Sequence, residues 1–391
     1  MEEALVFTVD TALMSPLKGE REREPSLRTQ AAVFHRPYEP LTIESVDIAA
    51  PWAREVLVRT VASGVCHSDL HPIDRPSEGR RELTAMGHEG AGIVEIVGED
   101  VTTVRVGDHV VACVKGFCGV CQQCLTGRPN LCAGSGVVAR PEAANQRITL
   151  GGIPVRQVGG VSSHAGYMLV HENSIVKIEP DIPLDRAALL SCGVLTGLGA
   201  VLRTAALRAG ESVAVFGCGG VGLSAIQGAR IGGARVIIAV DLLEGKLELA
   251  RSFGATHVVN GEIGDPVLAI RELTSGAGVD HAFEAVGSSE LVRQAVASLA
   301  IGGTATIMGI LPSAASIEFP WIAVQPECRV QTSRLGSARF RVDIPRYLEL
   351  YKRGALMLDQ MISRRVPLDG IETAFEAMRR GEVARSVLLF D

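Results

Sequence analysis

Eight residues, "GVCHSDLH" (64–71), place a thiol, two imidazoles, a hydroxyl and a carboxylate side by side as Cys66, His67, Ser68, Asp69 and His71. Such a set could bind a metal, move protons or do both; it could also be an ordinary stretch of chain. Two residues of matching chemistry lie far off in sequence, His88 in "GHEGAG" and Cys192 in "SCGVLTG". Taken alone each is a weak signal, because a buried cysteine is more often a small core residue than a ligand.

A second cluster is more specific. "CGVCQQCLTGRPNLC" spaces Cys118, Cys121, Cys124 and Cys132 as C-x2-C-x2-C-x7-C. Four thiolates within reach would fill the tetrahedral shell of Zn2+ and leave no position for water, as in a structural site. An iron–sulfur cluster also uses closely spaced cysteines and stays open as the alternative.

A third motif is a phosphate loop. "VAVFGCGGVGLSAI" sets Gly217, Gly219 and Gly222 in a G-x-G-x-x-G pattern, with Gly220 and Val221 inside it. It follows an apolar strand, opens a helix and precedes a second strand, "VIIAVD", that ends in Asp241. That context makes it a dinucleotide fingerprint. The glycines admit a pyrophosphate to a helix N-terminus, where free N–H groups favour negative charge. Asp241 would accept the ribose hydroxyls and repel a 2′-phosphate, so NAD is expected rather than NADP.

The elements that must position these groups are legible in outline. The chain has 391 residues, 47% of them apolar, with 43 glycines, which suits two globular domains with many tight turns. From 29 to about 190, "EVLVRTVASGV" and "GAGIVEIVGEDVTTVRVGDHVVACV" read as strands and hairpins. From 194 to 334, strand and helix alternate as in a doubly wound parallel sheet. There "ELVRQAVASLAIGG" reads as a helix and "TATIMG" as the strand after it. The segment 335–391 carries two helix-like stretches and a last strand, "RSVLLF", expected to return to the first domain. Residues 1–28 read as an N-terminal extension. A net charge of −6 and the lack of a basic run exclude a nucleic-acid surface, and no long apolar stretch suggests a membrane span. Nine cysteines and no secretory signal point to a reducing cytoplasm, where disulfides are disfavoured.

From about residue 29 onward the chain resembles the zinc-dependent medium-chain alcohol dehydrogenases, in their class I/III-like branch. "GVCHSDLH", "GHEGAGIVEIVGEDVTTVRVGDHVV", the cysteine loop, "CGVLTGLGA", "VFGCGGVGLSAIQGA" and "DLLEGKLELARSFGATHVVN" carry the likeness, in the family's order. The resemblance implies an α/β protein, with a β-rich GroES-like catalytic domain (29–193 with 335–391) and a Rossmann NAD-binding domain (194–334). It implies two Zn2+ per chain. Cys66, His88 and Cys192 would hold the catalytic ion with a fourth position open, and the four-cysteine loop the structural one. Asp69 and Glu89 match the acids behind the catalytic ion, and Asp69 would orient the His88 imidazole. Ser68 would bond the alcohol oxygen and pass its proton, through the cofactor ribose, to His71. His67 and Arg385 would face the cofactor phosphates, Lys246 the adenosine ribose, and Thr196 and Val221 the nicotinamide. The substrate would be a small molecule, a primary or secondary alcohol interconverted with its aldehyde or ketone. The resemblance further suggests a homodimer joined by strand pairing near "SIEFPWIAV", with a homotetramer as the alternative.

Four positions depart from better-known members. Val114 and Val158 stand where pocket walls are often aromatic, which implies room for bulky alcohols. Gly136 stands where glutathione-dependent formaldehyde dehydrogenases carry an arginine, and His71 where that branch has a tyrosine. The thiol-dependent formaldehyde reading therefore ranks second. A non-catalytic NAD- and zinc-binding protein ranks below both, because every expected metal-binding side chain, Ser68 and His71 are present.

Overall fold

The computed structural model describes residues 27–74, 82–134, 140, 146–382 and 384–391. Residues 1–26 of the expected extension, and Gly136, lie outside the described residues. The first strand, Leu27–Phe34, begins two residues before the expected start of the β-rich region.

The strand Glu55–Val65 is the axis of that region. It pairs antiparallel with Glu89–Val97, with Tyr167–His171 and with the last strand, Arg385–Leu389. Nearly every residue along it is buried, since the chain covers both of its faces. "RSVLLF" thus returns to the first sheet, where it also pairs with Ile362–Val366 of the same C-terminal segment. A second sheet forms around Leu27–Phe34 and Thr42–Ile48, which pair in register from Leu27↔Ile48 to Val33↔Thr42.

The third sheet has six parallel strands, in the spatial order His257–Asn260, Val236–Asp241, Ser212–Phe216, Val279–Glu284, Leu299–Ile307 and Arg329–Thr332. The order reverses direction between Ser212–Phe216 and Val279–Glu284. Doubly wound sheets bind dinucleotides at such a switch point.

One expected boundary moves. "LAIGG" is strand rather than helix: the helix ends at Ala297 and the strand runs Leu299–Ile307. Ser298 closes the helix with its hydroxyl on the Gln294 carbonyl (2.7 Å), and Leu299 already pairs with Val279. A register shift follows, at the glycine pair that had suggested a break, with Gly302 at φ +75°.

The largest core runs without interruption from the β-rich region into the parallel sheet. It joins Ala62, Ala91 and Val111 to Leu195, Leu198, Val215, Leu223 and Phe283. The helix Gly193–Gly199, continued by a wider turn Ala200–Thr204, carries this junction against the dinucleotide helix Gly220–Ile231. No single helix among the described residues is long and apolar enough to cross a membrane. The bent apolar pair Leu184–Ser191 and Gly193–Thr204 belongs largely to this core.

Leu198 is fully buried, and its backbone lies beside Gly228 of the dinucleotide helix. Leu198→Ala should destabilise the fold by about 2–5 kcal/mol, read as a lowered denaturant midpoint. A loss under about 1 kcal/mol would mean that the junction is not a close-packed core.

Candidate active site

The metal-binding groups converge because of strand register. Gly64 pairs with Glu89, so His88 lies across from the point where the chain leaves the strand as Cys66. Only glycine fits at 64: a Cβ there would collide with the Glu89 carboxylate. Cys192 arrives from the junction, as the residue before the helix Gly193–Gly199. Ligand atoms of Cys66, His88, Glu89 and Cys192 all lie within 4.8 Å of one another.

Asp69, 1% exposed, organises this cluster. Its Oδ2 accepts the Cys66 N–H (3.1 Å), and its Oδ1 lies 2.9 Å from His88 Nδ1. A carboxylate on Nδ1 fixes the proton there and leaves Nε2 to bind a metal. Ser68 Oγ reaches the same point, 3.1 Å from His88 Nε2 and 3.2 Å from Cys66 Sγ. His67 is exposed and His71 half-buried, one turn further along the helix His67–Asp74.

Burial works against a charge on His88, but Asp69 and Cys66 outweigh it and push the imidazole up to about 10. The contact with Cys192 holds the Cys66 thiol well below its ordinary value against burial, with His88 adding to the effect. The same contact, together with burial, holds Cys192 well above its own. Near neutral pH a metal-stripped cluster therefore keeps protons on His88 and Cys192, and Cys66 is the thiol that gives up its proton most readily. Its donors suit zinc, which binds thiolate and neutral imidazole.

Glu89 carries a second link. Its Oε1 accepts the Gly193 N–H (3.1 Å), and its Oε2 is ion-paired with Arg385. Arg385 is only 5% exposed and lies against Gly220, at the start of the dinucleotide helix. Its Nε is buried with no partner. An anion at that helix N-terminus would satisfy it, which fits a cofactor phosphate.

The dinucleotide loop has the required form. Gly217 sits at φ +94°, a conformation that L side chains rarely adopt. A Cβ on Gly222 would collide with the Gly217 carbonyl. Asp241 ends its strand beside this loop and accepts the Cys218 N–H (2.7 Å) and the Leu242 N–H (2.8 Å). Lys246 lines an adjoining cavity of about 350 Å³ with Cys218, Leu243 and Arg380. Thr196 is buried in the junction helix, and Val221 is partly buried with its carbonyl beside Gly197 of that helix.

The cysteine loop closes on itself. Cys118 and Cys124 sulfurs lie 3.9 Å apart, as do those of Cys121 and Cys132. A tetrahedron of Zn–S bonds near 2.3 Å spaces its sulfurs about 3.8 Å apart. The Cys118 N–H points at Cys132 Sγ (3.2 Å) and the Cys121 N–H at Cys118 Sγ (3.3 Å). Backbone donors hold Cys121 down to about 6 and lower Cys118, whereas burial pushes Cys124 up to about 12, so Cys124 is the thiol that a bound metal must deprotonate.

Sequence reasoning missed two buried groups. His164 lies fully buried with Nε2 3.4 Å from the Gly64 carbonyl and 4.0 Å from Asp69 Oδ2. Glu284, at the switch point, accepts the N–H groups of Val286 (2.8 Å) and Gly287 (2.7 Å), and so shapes the loop facing Gly217. Neither sits in a motif; only the fold brings them to the site.

Binding zinc to the stripped cluster must displace the protons of His88 and Cys192. Loading the catalytic site near pH 7 should therefore release about two protons, and zinc affinity should fall as the pH falls. Calorimetry in buffers of different ionisation enthalpy measures this count; release near zero would contradict the ligand set. Separately, Asp241→Ala should reduce the preference for NAD over NADP by about tenfold or more, through loss of the ribose partner. Unchanged kcat/KM ratios for the two cofactors would exclude that role.

Comparison with known proteins agrees with this geometry. Residues 53–180 match the alcohol dehydrogenase GroES-like domain and residues 220–353 the zinc-binding dehydrogenase domain. An alcohol dehydrogenase class-3 from Cereibacter sphaeroides is 35% identical over 93% of this chain and 100% of its own. An S-(hydroxymethyl)glutathione dehydrogenase from Saccharomyces cerevisiae is 36% identical over 92% of this chain and 96% of its own. Among solved structures, benzyl alcohol dehydrogenase from Acinetobacter calcoaceticus superposes with a TM-score of 0.86 at 34% identity, covering 93% of this chain and 100% of its own. The likeness runs along nearly the whole length of these relatives, and the chain belongs to the zinc-dependent medium-chain alcohol dehydrogenases, oxidoreductases that act on CH–OH groups with NAD and zinc.

Proposed function

We propose that this enzyme interconverts bulky alcohols, benzylic ones above all, with their aldehydes or ketones. The family resemblance puts Val114 and Val158 on the wall of the substrate pocket, and what supports the proposal is that both are aliphatic, with a Val114 methyl packed against Gly159. The likeness to a benzyl alcohol dehydrogenase supports the same reading.

Cys66, His88 and Cys192 hold the catalytic zinc, and Cys118, Cys121, Cys124 and Cys132 the structural one. Bound zinc supplies a Lewis acid that lowers the pKa of the alcohol, and NAD supplies the hydride acceptor. Asp69 keeps His88 in the binding tautomer. Ser68 would hold the substrate hydroxyl and take its proton, and His71, half-buried one turn along the same helix, would hand it to solvent. Imidazole suits this exit, since its unperturbed pKa of about 6.5 lies near working pH. His67 and Arg385 would hold the cofactor phosphates, Arg385 from beside Gly220. Asp241 and Lys246 hold the ribose, and Thr196 and Val221 support the nicotinamide.

Residues 29–193 and 335–391 form the catalytic unit and 194–334 the NAD-binding unit. The chain works as a homodimer. "SIEFPWIAV" is itself not strand; it exposes Trp321 (86%) and Ile322 (92%) in the segment leading to Arg329–Thr332, the edge strand of the parallel sheet. A second copy pairing there would cover both. All nine cysteines are free, as suits a cytoplasmic enzyme.

The curated relatives that oxidise S-(hydroxymethyl)glutathione favour a second reading, a thiol-dependent formaldehyde dehydrogenase. A substrate panel decides between the two. The aliphatic wall predicts kcat/KM at least about tenfold higher for benzyl alcohol than for ethanol, since one methylene in an apolar pocket is worth about 10–200-fold. A steep fall from ethanol to benzyl alcohol, or formaldehyde turnover that requires glutathione, would reverse the order.

A further inference from the structure

His67 and His71 stand at the first and fifth positions of the helix His67–Asp74. Residues four apart share one face of a helix. Their rings lie with centroids 5.8 Å apart and planes at 74°. Two imidazoles on one tetrahedral Zn2+, with bonds near 2.0–2.1 Å, would have centroids about 5 Å apart. A small rotation of the exposed His67 ring closes that difference. Imidazole is a good ligand for zinc, nickel and copper, and two histidines at this helical spacing are the ligand pair of the H-E-x-x-H metal motif. Asp74, on the same helix, is held by Arg379 (2.9 Å), so water rather than a carboxylate completes the shell. Such a site exchanges its ion readily, unlike the two cysteine-rich sites.

We propose that His67 and His71 chelate a third divalent ion, Zn2+ in particular, and that this ion and the dinucleotide exclude one another. The exclusion rests on the reading of His67 as a phosphate contact; the chelate does not. A bound ion would occupy the imidazole that meets the phosphates and the imidazole that takes the proton. Free zinc is then an inhibitor competitive with NAD.

The test is calorimetric titration of ZnCl2 into the full chain already loaded with two Zn2+, alongside His67→Arg and His71→Gln. Both positions are solvent-accessible, and zinc content checks that each variant keeps its two cysteine-bound ions. The expected result is a third equivalent whose affinity falls by about tenfold or more in each variant, as befits loss of a ligand, and which saturating NAD displaces. A third equivalent bound equally well by both variants would overturn the chelate. A third equivalent lost in both variants but indifferent to NAD would overturn the exclusion, and with it the phosphate role of His67.

Discussion

The ion pair between Glu89 and Arg385 is the constraint on which the rest of the site depends. It is buried, and its partners lie 296 residues apart in sequence. Glu89 directly follows His88 and holds the N–H of Gly193, which directly follows Cys192. Arg385 opens the last strand and rests on Gly220. One pair of charges therefore fixes two metal ligands, the phosphate loop and the chain's final strand relative to one another. Breaking a buried pair by removing one partner costs about 3–5 kcal/mol, because the other charge stays behind unpaired. A design that needs a substrate held to within a fraction of an ångström of its hydride acceptor gains from such a tie.

Asp69 plays the complementary part within the cluster. It fixes one ligand through a backbone N–H and another through an imidazole nitrogen. Ser68 stands beside it with its hydroxyl turned to the same point. The five chemical residues of "GVCHSDLH" therefore separate by direction. Cys66, Ser68 and Asp69 face the buried cluster, while His67 and His71 share the outer face of the helix.

Local signals were legible in the sequence because their spacing is itself the chemistry. Four cysteines close a loop wherever the chain bends, and a glycine-rich turn between strand and helix makes a phosphate cradle in any fold. The parallel sheet was legible for the same reason, since each βα unit is local. The catalytic ligand set was different. His67 lies beside Cys66, and His88 does not; only strand register puts His88 across from Cys66, and the likeness to a known family supplied that pairing before the register was visible. The Glu89–Arg385 tie, His164 and Glu284 carry no local signature, because sheet pairing over long separations creates their surroundings. The shift of Leu299–Ile307 into strand has a similar origin: pairing with Val279 overrode a helical pattern.

The central claim is that Cys66, His88 and Cys192 hold the ion that activates the alcohol. Its most direct test compares NADH formation from benzyl alcohol by the parent chain and by Cys66→Ala, with NAD affinity measured on both. Loss of turnover in the variant, with NAD affinity within about threefold of the parent, is the predicted result, because the dinucleotide loop does not depend on the Cys66 thiol. Turnover retained by Cys66→Ala would contradict the account.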